Sequence, residues 1–100
     1  MLRVVALFSG VLTELNLRST GSGPKGASAI GKALEGNGVL TDLNLNYNEI
    51  GDEGATALAS ALRVNGVLTS IDLGFNNLGD EGKGVIRDAV SGREGFKLEM

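Results

Sequence analysis

The chain has 100 residues, a formal net charge of −3 at pH 7, and neither cysteine nor histidine. This length fits one small domain, and the 42% of hydrophobic residues are enough to form a core. The absence of both residue types excludes disulfides and catalytic centres built on Cys or His, and it leaves only carboxylates as zinc ligands. The acidic balance argues against nucleic-acid binding. The lack of cysteine mildly favours a reducing compartment, so we expect a cytoplasmic location.

The chain opens with an apolar stretch at residues 2–9, which we interpret as the tail of a helix. A signal peptide is disfavoured because the apolar run continues into the next segment without a small-residue cleavage site. No stretch of the sequence approaches the ~20 consecutive apolar residues that a membrane span needs. We therefore expect no association with a membrane.

From residue 11 onward, the sequence repeats itself every 28 residues. Val-Leu-Thr occurs three times at this spacing, and half of the positions in 11–38 are identical in 39–66. A fixed period of this length predicts a stack of equivalent supersecondary units. We divide the chain, as one domain covering 1–100, into the following parts: a partial repeat at 1–10, repeats at 11–38, 39–66 and 67–94, and a partial terminal strand at 95–100.

The middle repeat predicts a strand, a loop and a helix. Leu43-Asn44-Leu45 alternates apolar and polar residues, as a half-buried strand does. Gly51-Asp52-Glu53-Gly54 is typical of a helix start, with acidic residues at the positive end of the dipole. Residues 55–64 have apolar side chains at helical spacing, and we expect Asn65-Gly66, a pair that tolerates positive φ, to end the helix. Stacked units of this kind give a parallel sheet with helices on its other side.

These positions resemble the leucine-rich repeat, LxxLxLxxNxLxxxGxxxLxxxLxxxx, and the 28-residue period resembles its ribonuclease-inhibitor-like class. The resemblance implies an α/β solenoid, a right-handed β-α superhelix with a parallel sheet on the concave side and helices on the convex side. It also implies a non-catalytic module that binds a protein partner through the concave face. Asn48 and Asn76 match the family asparagine, whose side chain bonds to backbone groups of adjoining loops. Thr20 and Ser22 depart from the pattern, so we expect a less regular first loop.

The concave face is the predicted binding surface, because the residues between the leucines of each strand point away from the core. These residues form three columns, and Tyr47 and Phe75 are expected side by side at the strand ends. The resulting surface is acidic and rich in amides, which suits a basic or hydrogen-bonding protein segment with the two aromatics as anchors. The candidate partner-binding residues are Glu14, Asn16, Arg18, Asp42, Asn44, Asn46, Tyr47, Ser70, Asp72 and Phe75.

Two short motifs are typical of ligand sites, a nucleotide site and a metal site, that we do not predict here. Residues 21–26 fit GxGxxG between a strand and a helix, but Gly23 and Gly26 recur at the repeat period, and Pro24 lacks an amide for a phosphate. The acidic Gly-Asp-Glu-Gly segments also recur at the period, which indicates helix starts rather than a metal site. We therefore predict no cofactor, no metal site and no enzymatic activity.

Two other functions remain open. The first is a self-associating or truncated repeat array, since no polar capping repeat is evident and homo-oligomers could form through exposed solenoid ends. At the carboxyl end, we expect Phe96-Lys97-Leu98 to match Leu43-Asn44-Leu45 as a short strand. The second is GTPase regulation of the Ran-activating type, which the resemblance allows without matching specific positions.

Overall fold

The computed structural model of the protein describes residues 13–100. The helix expected at 1–10 and the question of a signal peptide therefore lie outside the described residues. Strands and helices alternate within 13–100 in the order β1 (Glu14–Asn16), α1 (Gly23–Glu35), β2 (Asp42–Asn44), α2 (Gly51–Val64), β3 (Ser70–Asp72), α3 (Asp80–Val90) and β4 (Lys97–Glu99).

The strands form one parallel sheet in the order β1-β2-β3-β4, so each strand lies beside its neighbour in sequence. Leu15 pairs with Leu43, which pairs with Ile71, and these side chains join the core or pack against it. Equivalent leucines therefore stand side by side, as the repeat predicts. This arrangement confirms the α/β solenoid, because no unit could bury its apolar residues without its neighbours.

The three helices lie side by side on the core side of the sheet. Their buried positions are mostly alanine, leucine and isoleucine, and two glycines allow close approach between neighbouring helices. A Cβ at Gly82 would come within 3.2 Å of the Cα of Asp52 and would clash with its carboxylate. Gly54 faces Ala27 and Pro24 of α1 in the same way. The recurring glycine of the repeat is thus explained by packing between the amino ends of adjacent helices.

The difference between helix and strand spacing curves the stack. Helices pack about 8–10 Å apart, whereas neighbouring strands lie about 4.8 Å apart. Because α1, α2 and α3 each follow one strand, the sheet side must be shorter than the helix side. The polar face of the sheet is therefore the concave one. Each of the three helices within 13–100 falls short of the length and apolar character that a bilayer-spanning helix requires.

Buried asparagines join successive repeats at the end of each strand. The Asn48 Nδ2 group donates to the carbonyl of Leu45 in its own repeat and, at 2.8 Å, to that of Leu17 in the preceding one. Its Oδ1 atom accepts from the amides of Thr20 and Ser22. Asn76 bonds to the second repeat in the same way, through the Leu45 carbonyl and the Asn48 amide. These bonds match what the resemblance implies for the family asparagine.

The first loop keeps part of this network despite its different sequence. Thr20 stands at the asparagine position, and its hydroxyl lies 2.9 Å from the Leu17 carbonyl, 2.9 Å from the Ser22 hydroxyl and 3.1 Å from Asn48 Oδ1. Thr20 and Ser22 thus form a small hydroxyl cluster where later repeats have asparagine and an apolar residue. The first loop also covers less of the core, because Ser22 is half-buried whereas its counterpart Ile50 is fully buried.

A second row of buried side chains crosses the repeats at the carboxyl ends of the helices, and sequence analysis missed it. Asn65 was expected to tolerate positive φ, but it has φ −89° and ψ 115° and is buried. Its Nδ2 atom donates to the carbonyls of Leu34 and Asn37, and its Oδ1 atom accepts from the amides of Val67 and Leu68. The helix ends at Val64, as predicted, but Asn65 does not adopt the positive φ that it tolerates, because the residue is held by its side chain rather than by its backbone preference.

Arg93 occupies the position of Asn37 and Asn65 in the third repeat. Its guanidinium donates to the carbonyls of Leu62, at 3.0 Å, and of Leu68, and it lies over the Phe96 ring with Cζ 4.8 Å from the ring centroid. The bond from Arg93 to the Leu62 carbonyl is the equivalent, one repeat later, of the bond from Asn65 to the Leu34 carbonyl, so each side chain reaches the repeat before its own. The 28-residue spacing was the available signal, but the change of residue type hid it.

The fourth strand has a different register from the one expected. Leu98 pairs with Ile71 and so continues the column of Leu15 and Leu43, whereas the sequence match had placed Leu98 opposite Leu45. The predicted alignment of Phe96-Lys97-Leu98 was therefore wrong by two residues. The pairing of Ser70 with Lys97 is one residue short of the period, and the turn at 91–95, which contains two positive-φ glycines, accommodates this difference.

We predict that Asn48→Ala lowers the free energy of unfolding by about 3 kcal/mol, because it leaves several buried backbone groups without partners. The exposed Asn16 provides a matched control, and Asn16→Ala should change the free energy of unfolding by about 0.5 kcal/mol or less. Urea unfolding followed by circular dichroism measures both. Equal losses in the two variants would contradict a bridging role for Asn48.

Candidate functional site

The predicted columns of the concave face are present in the sheet. Glu14 pairs with Asp42, Asp42 with Ser70, and Ser70 with Lys97. The second column runs in the same order through Asn16, Asn44, Asp72 and Glu99. Lys97 and Glu99 were not among the predicted site residues, because the predicted columns were taken from the three full repeats only.

The second column also has a local structural role. In each of the first three strands, the Oδ1 atom of Asn16, Asn44 or Asp72 accepts a hydrogen bond from the amide two residues later, at 2.9–3.0 Å. These bonds are Asx turns, which end the strand at the same point in every repeat. The Nδ2 groups of Asn16 and Asn44 and the Oδ2 atom of Asp72 take no part in them. Asn16, Asn44 and Asp72 can therefore form these turns through Oδ1 while the second polar atom of each side chain stays free of the turn and can contact a partner.

The third predicted column links repeats instead of standing free in solvent. Asn46 Nδ2 donates to Asp72 Oδ1 at 3.0 Å. Gly74 occupies the next place in the column, where a Cβ would lie 3.0 Å from Asn46 Nδ2 and 3.2 Å from Asp72 Oδ1. The missing side chain at Gly74 therefore makes room for this hydrogen bond.

Arg18, Tyr47 and Phe75 form a continuous stack along the edge of the concave face. The Tyr47 and Phe75 rings have centroids 4.5 Å apart and an interplanar angle of 7°. The Arg18 Cζ atom lies 5.0 Å from the Tyr47 centroid. Because Phe75 fills one face of Tyr47, the guanidinium lies over the other. The side chains predicted to adjoin are thus in contact, and Arg18 belongs with the aromatic pair rather than with its column.

Both aromatic residues have a backbone conformation that bulky side chains rarely adopt. Tyr47 has φ 58° and Phe75 has φ 57°, in the left-handed region. This conformation costs about 1–2 kcal/mol for each non-glycine residue, whereas a stacked aromatic pair returns about 0.5–1.5 kcal/mol. Tyr47 is 43% exposed and Phe75 is 70% exposed, so burial offsets little of this cost. Stabilisation of the fold therefore does not explain why the two aromatic residues occupy these positions.

The middle of the concave face is a shallow acidic trough. It encloses about 470 Å³, and its lining includes the carboxylates of Glu14, Asp42, Asp72 and Glu99 but no lysine or arginine. Glu14 and Asp42 are register neighbours, and so are Asp72 and Glu99. Like charges placed directly opposite each other on adjacent strands oppose folding. The trough thus combines unfavourable charge repulsion with an open surface that a cation would neutralise.

The GxGxxG segment is part of the repeat-to-repeat network. The amides of Thr20 and Ser22 bond to the Asn48 side chain, and that of Gly23 bonds to the Asn48 carbonyl at 2.8 Å. The next repeat lacks GxGxxG, yet its amides at Asn48, Ile50 and Gly51 bond to Asn76 in the same pattern. Within the segment, the amides of Ser22, Gly23 and Gly26 are therefore engaged by the fold. Within 13–100, no three acidic side chains are grouped so that they could hold a metal ion.

We predict that Phe75→Gly is more stable than Phe75→Ala by about 1 kcal/mol, because only glycine adopts φ 57° without cost. Both variants lose the stack, so their difference isolates the backbone term. At Ser60, an exposed position within α2, the order should reverse, with the glycine variant about 1 kcal/mol less stable than the alanine variant. Chemical denaturation of the four variants measures this, and the same order at both positions would contradict strain at Phe75.

Comparison with known families agrees with this architecture. A family model described as Leucine Rich repeat matches residues 36–59 and 64–82, which cover most of the second repeat and the first part of the third. A search of curated proteins found no match to the chain. The matched segments include β2 with most of α2, and β3 with the start of α3, so sequence and structure identify the same units. Residues 13–100 thus form an α/β leucine-rich-repeat solenoid.

Proposed function

We propose that this chain is a non-catalytic interaction module that binds a protein partner through its concave sheet face. Leucine-rich-repeat domains generally mediate protein–protein interaction. The observation that carries the proposal is the exposed Tyr47–Phe75 stack, held in a costly left-handed backbone conformation. Strain of this kind, retained at an exposed position, is typical of residues selected for binding rather than for stability.

The charges of the trough favour a basic partner. Four carboxylates line it, and two pairs of them are register neighbours. A partner segment that brings lysine or arginine relieves this repulsion on binding and gains attraction as well. Tyr47 and Phe75 then provide the apolar area that a charged surface alone lacks, as aromatic residues do at binding hot spots.

The length of the repeat indicates which class of leucine-rich repeat the chain belongs to. The ribonuclease-inhibitor-like class is favoured by the 28-residue spacing of hydrogen-bonded positions and by helices of 13 and 14 residues in the first two repeats.

We propose the cytoplasm as the compartment, since the chain has no cysteine. The concave sheet is shallow, and the loop amides of Ser22 and Gly23 are bonded to the neighbouring repeat, which favours a binding role over catalysis. The dispersed basic residues of the helices do not favour nucleic acid.

The test is selection of partners from a displayed library of random linear peptides. We expect enrichment of basic peptides whose affinity falls about tenfold in the Tyr47→Gly/Phe75→Gly double variant, because both anchors are lost while the backbone strain is relieved. Arg63 lies exposed on α2, away from the sheet, and Arg63→Ala should leave affinity unchanged. Peptides that bind the double variant as well as the parent would contradict the concave site.

A second prediction separates binding from stability. Glu14→Gln and Glu99→Gln each remove one charge from a like-charged register pair, and neither side chain makes a hydrogen bond to another residue within 13–100. We expect the free energy of unfolding to rise slightly in both variants while affinity for the selected basic peptides falls. Thermal unfolding and peptide titration at low salt measure the two effects. A fall in stability without loss of affinity would show that these carboxylates serve the fold alone.

Self-association is the alternative to binding a different protein, and the mass of the protein in solution tests it. β4 is the last strand in the sheet order of residues 13–100, and β1 is the first. Pairing between these edges in different copies would raise the mass with concentration. Light scattering over a range of dilutions distinguishes this from the monomeric binding module that we propose.

A further inference from the structure

Asparagine precedes glycine twice in the chain, at Asn37-Gly38 and at the equivalent Asn65-Gly66 of the next repeat. In this pair the asparagine side-chain amide is lost most readily, because glycine leaves the following backbone amide least hindered. The fold requires neither glycine. Each lacks a positive φ, and a Cβ at either position would have no atom of residues 13–100 within 4 Å apart from those of its chain neighbours. Packing and backbone conformation therefore do not explain why glycine follows these two asparagines.

The reaction at such a pair is deamidation. The Gly66 amide nitrogen, after losing its proton to base, attacks Cγ of Asn65, and the side-chain nitrogen leaves as ammonia. The product is a cyclic imide, in which Cγ and the carbonyl carbon of Asn65 share the Gly66 nitrogen. Water then opens the ring on either side and leaves an aspartate or an isoaspartate, whose main chain runs through the side-chain carbons. Water and base are the only reactants that the conversion needs.

The stacked repeats hold Asn65 in a form that cannot close this ring. The residue is 4% exposed. Its Nδ2 group donates to the Leu34 carbonyl at 2.7 Å, and its Oδ1 atom accepts from the amides of Val67 and Leu68, both at 2.9 Å. Its extended ψ of 115° also places the Gly66 nitrogen away from the side chain that it would attack. Ring closure therefore requires rotations that break the bonds to the repeats on both sides.

Neither product of the reaction fits this position. A carboxylate cannot donate, so the carbonyls of Leu34 and Asn37 would lose their partner and face a buried negative charge. An isoaspartate also adds one carbon to the main chain between α2 and β3, which displaces the strand from its register. Either product thus opposes restacking of the repeats after they have separated.

We infer that Asn65 is a site of deamidation that is closed in the stacked molecule and opens when the repeats separate. The modification makes the separation permanent, because both products disfavour the stacked state. The modified fraction of Asn65 therefore measures how long the repeats have spent apart. The lifetime of the folded chain is then set by local opening at this junction as well as by global unfolding. The inference is independent of which partner the concave face binds.

The experiment uses the Gly38→Ala chain, so that Asn65 alone precedes glycine. The protein is kept at neutral pH, either in buffer or in urea above its unfolding midpoint, and peptide mapping by mass spectrometry follows each asparagine with time. We expect Asn65 to deamidate at least about tenfold faster in urea than in buffer, because the reaction in buffer must await opening of the repeats. The rate in urea should rise with pH. Asn16, which precedes leucine, should remain unmodified in both conditions.

A double variant tests whether the reaction itself causes the loss of folding. Gly38→Ala/Gly66→Ala should unfold at the same urea concentration as Gly38→Ala or slightly above it, since the added Cβ meets no other residue of the fold. Its Asn65 should deamidate severalfold more slowly in urea. After long incubation and dilution, the double variant should recover its circular dichroism, whereas Gly38→Ala should recover only in proportion to its unmodified fraction.

Aspartate variants test whether the product is rejected. Asn65→Asp should lower the ratio of folded to unfolded chain about tenfold or more, because the buried carbonyls lose their donor. Asn16→Asp adds the same charge at an exposed position, where the equivalent Asp72 shows that a carboxylate keeps the Asx turn. It should change this ratio by about twofold or less.

The outcomes decide the inference in either direction. Equal rates of Asn65 deamidation in buffer and in urea would show that stacking does not close the site, and an unmodified Asn65 in urea would show that the site does not react. A loss of refolding that Gly66→Ala does not prevent, or an Asn65→Asp chain as stable as Asn16→Asp, would also overturn the inference. Complete failure of Asn65→Asp to fold would support it, and the refolding comparison still tests it in chains that fold.

Discussion

The structure depends on hydrogen bonds from buried side-chain amides that cross from one repeat to the next. Each unit exposes backbone carbonyls and amides where its short strand ends, and water cannot reach them once the units stack. Asn48 and Asn76 satisfy these groups in the unit before their own, with bonds of 2.6–3.4 Å across the boundary. No buried side-chain nitrogen or oxygen in residues 13–100 lacks a partner. The leucine columns supply the apolar contact, and the asparagines fix the register in which it forms.

This constraint also determines where the proposed binding residues Tyr47 and Phe75 stand. Because the strand ends in the same Asx turn in every repeat, the residues that follow it occupy equivalent places. Tyr47 and Phe75 come after that turn at the same left-handed position, and stacking of the repeats places their rings in contact. The fold thus supplies an exposed aromatic pair without any loop insertion. What differs between repeats is only the residue type, since Ser19 occupies this position in the first one.

Much of the architecture was readable from the sequence because it follows from periodicity. The spacing of leucines predicted the sheet, the helices and the pairing of Leu15 with Leu43 and Ile71, and the polar residues between them predicted the columns. The interactions that were missed depend on side-chain reach, which spacing does not reveal. Asn65 looked like a helix-ending residue, although its amide bridges two repeats. Arg93 shares that position but not its residue type, and the shortened last turn moved Leu98 to another column.

The change from asparagine to arginine at residue 93 alters how the following segment is held. An asparagine amide both donates and accepts, so Asn65 ties the preceding repeat to the amides that begin the next strand. A guanidinium only donates, and Arg93 therefore bonds backward while the Phe96 amide turns to the Arg93 carbonyl at 3.1 Å. β4 joins the molecule through its backbone ladder, the turn at 91–95 and the partly buried Leu98, and it lacks the side-chain amide bridge that precedes β3. Amide protons of this strand should consequently exchange with solvent by local fraying, well before the inner strands open.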